Sequence, residues 1–253
     1  MAAALLKETP LTQGIAVVRM MVQRGHSLGV TSIAKTLKMP KSSVHRLLQS
    51  LVQLGFVQKI DSLGRYTLSA DIFDFVHEIA WNFGRNLRLD DHLRAAAHRL
   101  NCNVYISMMG RRDTYVICAA GDEGNTNRLG THGPAYASSA GKALIAQKDR
   151  RLWRHYAPQP GDRPITPYTN RNPRKFLTEL RRIRKTGIAW NMRESSESHV
   201  SLATVVREPF ISQPRLTVAL VLRMEAFPDR DPDDLEAALR ELAADLEREL
   251  GSR

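Results

Sequence analysis

Apolar and polar positions follow two distinct periods along this chain, one of three to four residues and one of two, and the pattern changes from Leu89. In the first seventy residues, Ile15, Val18, Met21 and Val22 recur at three- and four-residue steps. This predicts a helix over about 12–24 that buries those side chains, with Gly25 supplying the left-handed cap. SIAKTLK reads as a short helix with Ile33, Ala34 and Leu37 inward and Thr31 as its N-cap. Lys38-Met39-Pro40 is a turn, and Pro40 suits the first turn of the next helix. In KSSVHRLLQSLVQLG, Val44, Leu47, Leu48 and Leu51 form one apolar stripe. Lys41, Ser42, Ser43, His45, Arg46 and Gln49 occupy the other face, and Gly55 ends the helix. FVQKI and RYTLS then flank Asp61-Ser62-Leu63-Gly64, the pattern of a tight hairpin.

Beyond this unit, Ile72, Phe75, Val76, Ile79 and Phe83 predict a connecting helix over 71–88, with Trp81 off its stripe. Its apolar side suits either a partner chain or the remainder of its own chain. LDDHLRAAAHRLN is helical, and CNVYISMMG and TYVICAAGD alternate as strands around Arg111-Arg112-Asp113. NRLGTHGPAYASSAGKALIA begins extended and turns helical at Ser138 or Ser139. PRKFLTELRRIRKTG is a basic amphipathic helix on Phe176, Leu177, Leu180 and Ile183. IAWNMRE, VSLATVVRE and RLTVALVLRM read as three more strands, and 231–250 as a helix on Leu235, Leu239, Leu242 and Leu246. The fold class is therefore α+β, with helices around a mostly antiparallel sheet. Three parts follow: 1–70, 71–88 and 89–253.

Composition narrows the function. Hydrophobic residues make up 43% of 253 and charged residues 25%, as in a globular chain. No apolar run reaches the ~18 residues of a membrane span. The N-terminus lacks the basic and apolar regions of a secretory signal, so a cytoplasmic protein is expected. Cys102 and Cys118 stand alone, without metal-ligand spacing, and neither a metal nor a cofactor is expected. The net charge of +11 is unevenly spread. Residues 1–70 carry nine Lys/Arg against two acids, and residues 142–193 fourteen against three. Residues 225–253 carry four against ten. The basic zones suit a polyanion, although a solvated surface would look the same.

Helix, short helix, turn, helix and hairpin in this order describe a winged helix-turn-helix, with the third helix as the reader of the major groove. Its candidate DNA contacts are Thr31, Lys41, Ser42, Ser43, His45 and Arg46, with Arg65 reaching a minor groove or phosphate from the hairpin. Ser42 and Ser43 could equally cap their own helix, and Arg65 could merely solvate the hairpin tip. SSAGKA lacks the GxxxxGK[ST] spacing of a phosphate loop, and no GxSxG or HExxH occurs. The same segment opens a helix with free amides, a ready anion site.

The chain resembles the IclR (isocitrate lyase regulator) family of bacterial transcription factors over about 12–250. The resemblance rests on GVTSIAKTLKMPKSSVHRLLQSLVQLGFV, RYTLS, RLGTHGPAYASSAGKALIA, FLTELRRIRKTGIAWNMRES and VSLATVV. It implies a winged helix-turn-helix joined by a helix to a GAF-like effector domain. It also implies homodimers or homotetramers on palindromic operator DNA, and a small organic or aromatic acid as effector of a catabolic operon. The implied effector positions are Leu129, Ser139, Ala140, Asn191, Ser201, Val221 and Arg223. Asn191 stands where some members carry an acid, and Val221 and Arg223 where glyoxylate-type members carry serines. Those departures point away from glyoxylate or pyruvate and toward a larger acid. Strand alternation puts Arg223 on the face of Val221; pointing inward it would pair with the acid, and otherwise it is a surface arginine at the strand's end. The alternatives are an architectural DNA-binding protein without an effector and a winged helix fused to an enzyme domain.

Overall fold

The computed structural model describes residues 9–72, 74–75, 78, 89–121 and 130–252. The chain divides into two compact units, 1–81 and 82–253. Most of the connecting helix expected over 71–88 lies outside the described residues, as does Leu129.

In the first unit, α1 spans Pro10–Arg24. A reciprocal capping box between Thr9 and Thr12 starts it, and Gly25 at φ 65° ends it. Its buried face differs from the expected one. Gly14, Val17, Met20 and Met21 point inward, whereas Ile15 and Val22 are 54% and 56% exposed. The helix is apolar nearly all round, so periodicity admits two faces. The packed neighbour decides, and Gly14 lies beneath Leu47 of the third helix.

Helix α2 spans Val30–Leu37 and starts earlier than expected, because the amides of Ser32 and Ile33 donate to Gly29 O. Gly29 is the N-cap, and Thr31 sits exposed inside the first turn instead of capping it. Helix α3 spans Lys41–Gln53 and buries Val44 and Leu48, with Leu47 and Leu51 packed beside them. Strands β1 (Val57–Ile60) and β2 (Arg65–Leu68) pair antiparallel across a turn closed by Gly64 at φ 60°. Leu28 adds a bridge to Tyr66, with amide-to-carbonyl bonds of 2.8 and 2.9 Å, and so ties the hairpin to the loop before α2.

In the second unit, α4 (Asp90–Leu100) leads into β3 (Asn103–Met109) and β4 (Asp113–Ala120). After β5 (His132–Pro134) come α5 (Ser139–Gln147), the short α6 (Trp153–Tyr156) and α7 (Pro173–Thr186). Strands β6 (Ala189–Met192), β7 (His199–Val206) and β8 (Leu216–Arg223) precede α8 (Pro232–Gly251). The six strands form one antiparallel sheet in the order β5-β4-β3-β8-β7-β6. The α+β class expected from the pattern is what the chain adopts.

Strand alternation divides the core into two layers. Leu216, Val218, Leu220 and Leu222 of β8 pack with Leu93 of α4 and with Leu235, Leu239, Leu242 and Leu246 of α8. The opposite face presents Ala219 and Val221 of β8 and Ala203 of β7 to α5 and to Phe176, Leu180 and Ile183 of α7. Alanines on both partners let α5 lie close on the sheet. Gly141 is the tightest point, since a Cβ there would stand 2.2 Å from Ala135 O. Cys118 is buried and Cys102 half-buried, and burial pushes both thiols up to about 11.

Two expectations follow for urea unfolding. Gly141→Ala should lose about 1–3 kcal/mol, because a methyl group forced against backbone shifts the helix. Met21→Ala should cost about 2–5 kcal/mol, while Val22→Ala, at the exposed neighbouring position of α1, should stay within ~0.5 kcal/mol. Similar losses at Met21 and Val22 would restore the face expected from periodicity.

Candidate functional site

The first unit presents a continuous polar face. Lys41, Ser42, His45, Arg46 and Gln49 of α3 are exposed, and Ser43 is partly so. Thr31, Lys35, Thr36 and Lys38 border them from α2 and its end. Neither helix contains an acid, and among the described residues neither Lys41 nor Arg46 makes an ion pair. Pro40 is the N-cap of α3 and no side chain caps it, so Ser42 and Ser43 are not its cap residues. Their short hydroxyls leave the N-terminal turn accessible to a phosphate or a base edge.

Arg65 does not stand where the sequence suggested. It is half-buried, and its Nη2 donates to the carbonyl of Ser27. The reason is local. Leu28 is bridged to Tyr66, so residue 65 lies beside residue 27 and its long side chain folds back onto that carbonyl. Arg65 braces the hairpin, and the exposed cation of the hairpin is Lys59, paired with Asp61 at 2.8 Å.

The second unit holds a cavity of about 310 Å³ between the sheet and the start of α5. Ser139, Ala140, Asn191, Ser201 and Val221, all expected as effector positions, line it together. Ser138 caps α5, accepting from Gly141 N at 2.9 Å and meeting the Thr114 hydroxyl at 3.1 Å. The amides of Ser139 and Ala140 begin the helix and have no carbonyl four residues back within it. Ser139 Oγ and Ser201 Oγ, both in the cavity wall, are hydrogen-bonded to each other at 2.8 Å. Val221 stands beside Ser201 in register.

Asn191 is buried and spent on structure. Its Nδ2 donates to Ala137 O at 2.8 Å and Ser195 Oγ at 2.7 Å, and its Oδ1 accepts from Glu194 N at 2.8 Å. It shapes the wall that carries Ser195 and Ser196. An acid in its place could not make the two donations.

Arg223 is the exception among the described effector positions. Alternation does put it on the face of Val221. However, β8 ends there, opposite His199, and Arg223 is exposed. It lines a separate cavity of about 610 Å³ with His98 and Asn103. The structure does not bring it to Ser139.

Several lining residues escaped the sequence reading. His132 and His199 look scattered in sequence yet both border the cavity, His132 stacked on Tyr115 and His199 Nδ1 within 3.1 Å of the Ser196 hydroxyl. Tyr105 and Ser107 of β3 also face it, and strand alternation with the register to β8 would have found them.

Lys142 is the other surprise. In SSAGKA it mimics a phosphate-loop lysine, but it is fully buried. Its Nζ donates to Glu179 Oε1 of α7 at 2.7 Å and to Glu194 Oε1. Burial pushes the Glu194 carboxyl up, against the pull of Lys142, and among the described residues its buried Oε2 has no hydrogen-bond partner. The Thr166 and Thr169 hydroxyls donate to the Glu194 carbonyl at 3.3 and 2.8 Å. This clasp fixes the segment that presents Ser195 and Ser196 to the cavity.

The helix-turn-helix face and a cavity-bearing second unit define a DNA-binding regulator. Residues 10–61 match the IclR helix-turn-helix domain, and residues 90–248 match the C-terminal domain of the bacterial transcriptional regulator IclR. The chain therefore belongs to the IclR family of bacterial transcriptional regulators. It is 26% identical over 213 residues to the transcriptional repressor IclR of Escherichia coli, covering 79% of this chain and 76% of that protein. It is 26% identical over 254 residues to the glycerol operon regulatory protein of Streptomyces griseus, with 96% of each covered. An IclR homologue of Microbacterium hydrocarbonoxydans, crystallised with 4-hydroxybenzoate, shares the fold at a TM-score of 0.72 and 18% identity, over 97% of this chain and 100% of that one.

Lys142→Met tests the clasp. It leaves the buried Glu194 carboxylate and the partly buried Glu179 without their cation, and should cost about 3–5 kcal/mol in urea unfolding. A loss below about 1 kcal/mol, the range of an exposed pair, would show that the three groups are solvated.

Proposed function

We propose that this regulator controls a catabolic operon from the cytoplasm as a homodimer or a pair of dimers. In this reading α3 lies in the major groove of each operator half-site. Arg46 and His45 read base edges there, Ser42 and Ser43 let the helix sink in, and Lys41 and Thr31 meet phosphates. The unpaired Lys41 and Arg46 on an acid-free face support it. Arg65 acts through the hairpin by holding it to Ser27, not by touching DNA itself.

The effector in this reading is a small organic acid, an aromatic one, seated between the sheet and α5. The observation that carries this is that Ser139 and Ala140, the first residues of α5, line the cavity together with Ser201, whose hydroxyl bonds that of Ser139. Helix-start amides and their dipole favour a carboxylate, which would be costly to bury without such partners. Val221, Ala219 and Ile165 give the rest of the wall an apolar surface for a ring. The volume lies at the small end of the usual range of about 300–1,000 Å³ for ligand sites, which favours a single ring over a larger ligand. The 4-hydroxybenzoate held by the Microbacterium homologue is an acid of this kind. The effector acts by binding the DNA-competent and DNA-incompetent states unequally.

Two measurements test the proposal. With an operator selected from a random duplex library, Arg46→Ala should weaken binding by about 1–3 kcal/mol and relax preference at one base pair. Sedimentation of the complex should show two equivalent chains per palindrome. Unchanged affinity and selectivity would remove α3 from recognition, and one chain per operator would remove the dimer. For the effector, calorimetry with benzoate-type and aliphatic acids should show binding that Ser139→Trp abolishes and Arg223→Ala leaves within about twofold. Equal affinity in the wild type and Ser139→Trp would move the acid elsewhere.

A further inference from the structure

We propose that the outer face of α7, in the effector unit, is a second DNA-contacting surface that follows the phosphate backbone without reading sequence. This goes beyond recognition by α3 and rests on duplex DNA being the partner.

The fourteen residues of α7 carry one acid, Glu179, and that acid is turned inward to Lys142. Phe176, Leu180 and Ile183 are buried. What remains outside is Arg174, Lys175, Arg181, Arg182 and Lys185, all exposed. Among the described residues none of these five makes an ion pair. Arg184 differs, since it donates to Lys148 O at 3.1 Å and lies over Trp153. Like charges at 181 and 185, and at 182 and 185, disfavour a helix standing alone. The cations are therefore not there to stabilise α7, which is held by its Asn172 cap and its buried stripe.

Their placement suits an extended polyanion. Steps of seven and four residues put Arg174, Arg181 and Lys185 in one row, with Lys175 and Arg182 in a parallel row. The helix is about 21 Å long, and a duplex presents one charge per ~1.7 Å of its axis, so several phosphates fall within its reach.

Two other occupants fit less well. The acidic α8 of a second copy has complementary charge on paper. However, Glu236, Glu241, Asp245 and Glu247 already pair with Arg240, Arg99, Arg248 and Arg207 of their own chain. An anionic membrane would want an apolar side to insert, and α7 has committed its apolar side to the core.

The test uses the full chain with Arg181→Gln, Arg182→Gln and Lys185→Gln combined. All three side chains are exposed, so the fold should be retained, as an unchanged melting curve would show. Binding is measured against salt for the selected operator and for a random-sequence duplex of the same length. The log–log slope should become shallower by about 2–3 for both duplexes, at ~0.9 per phosphate, with base preference intact. Arg46→Ala should do the reverse, lowering preference while leaving the α7-dependent part of the slope. An unchanged slope in the triple variant overturns the inference. So does a selective loss of binding to phosphatidylglycerol vesicles, or a change in sedimentation without a change in slope. Failure of the operator reading would show separately, as a wild type without base preference.

Discussion

A buried ammonium group must find anions, and in the effector unit that requirement fixes the frame. Lys142 belongs to α5, Glu179 to α7 and Glu194 to the segment after β6. Meeting one charge therefore brings three separate pieces of chain to one point. Because Lys142 is on the first turn of α5, the same contact sets where the amides of Ser139 and Ala140 lie. Because Glu194 adjoins Ser195, it also sets the opposite wall. The Asn191 amide, bonded to Ala137 O, Ser195 Oγ and Glu194 N, completes that arrangement from the sheet side. The cavity is thus shaped by an ion cluster, Lys142 with Glu179 and Glu194, that does not itself line it, and by Asn191, which does.

The two units divide the work by the kind of surface they expose. The first places its apolar residues under α2 and α3 and leaves a face of hydroxyls and unpaired cations. The second encloses a polar concavity in a shell of small residues. A ligand in the concavity can influence the face only through a difference in affinity between two states of the chain, and a ligand held equally by both would shift nothing. Rigid walls help here, since a cavity whose shape is over-determined discriminates states more sharply than one that adapts to its guest.

Much of this organisation was legible in the sequence, and the failures share a cause. Strands β6, β7 and β8 alternate over enough residues for the pattern to define them, and the leucines of α8 leave only one face to bury. The order of elements in the first unit, with Gly64 closing the turn, is equally local information. In α1 the apolar residues surround the helix, so the buried face depends on where α3 approaches. Thr31 is a sound cap by type, but Gly29 O takes the first amides. The strands of Arg65 and Arg223 are legible, but the direction of their side chains is not, because the bridge between Leu28 and Tyr66 and the end of β8 are tertiary facts. His132 and His199 are 67 positions apart, and only the sheet order and the fold of α5 over it bring them to one cavity. Of the five effector positions that do meet there, Asn191, Ser201 and Val221 rest on the family resemblance alone, while Ser139 and Ala140 are also legible as the start of a helix with free amides.

The close contact between Gly141 and Ala135 separates what is fixed in this site from what is free to vary. Frame residues such as Gly141, Lys142 and Asn191 are constrained on every side, by backbone or by hydrogen bonds. Wall residues such as Val221 and Ser201 present their side chains to open space. Among the described residues, the Ser201 hydroxyl bonds only to that of Ser139. Mutational drift at the wall would therefore retune ligand preference at little expense to folding, whereas drift in the frame would be removed by misfolding before any new specificity could be expressed. An ancestral scaffold of this kind can diversify its chemical vocabulary while its architecture stands still.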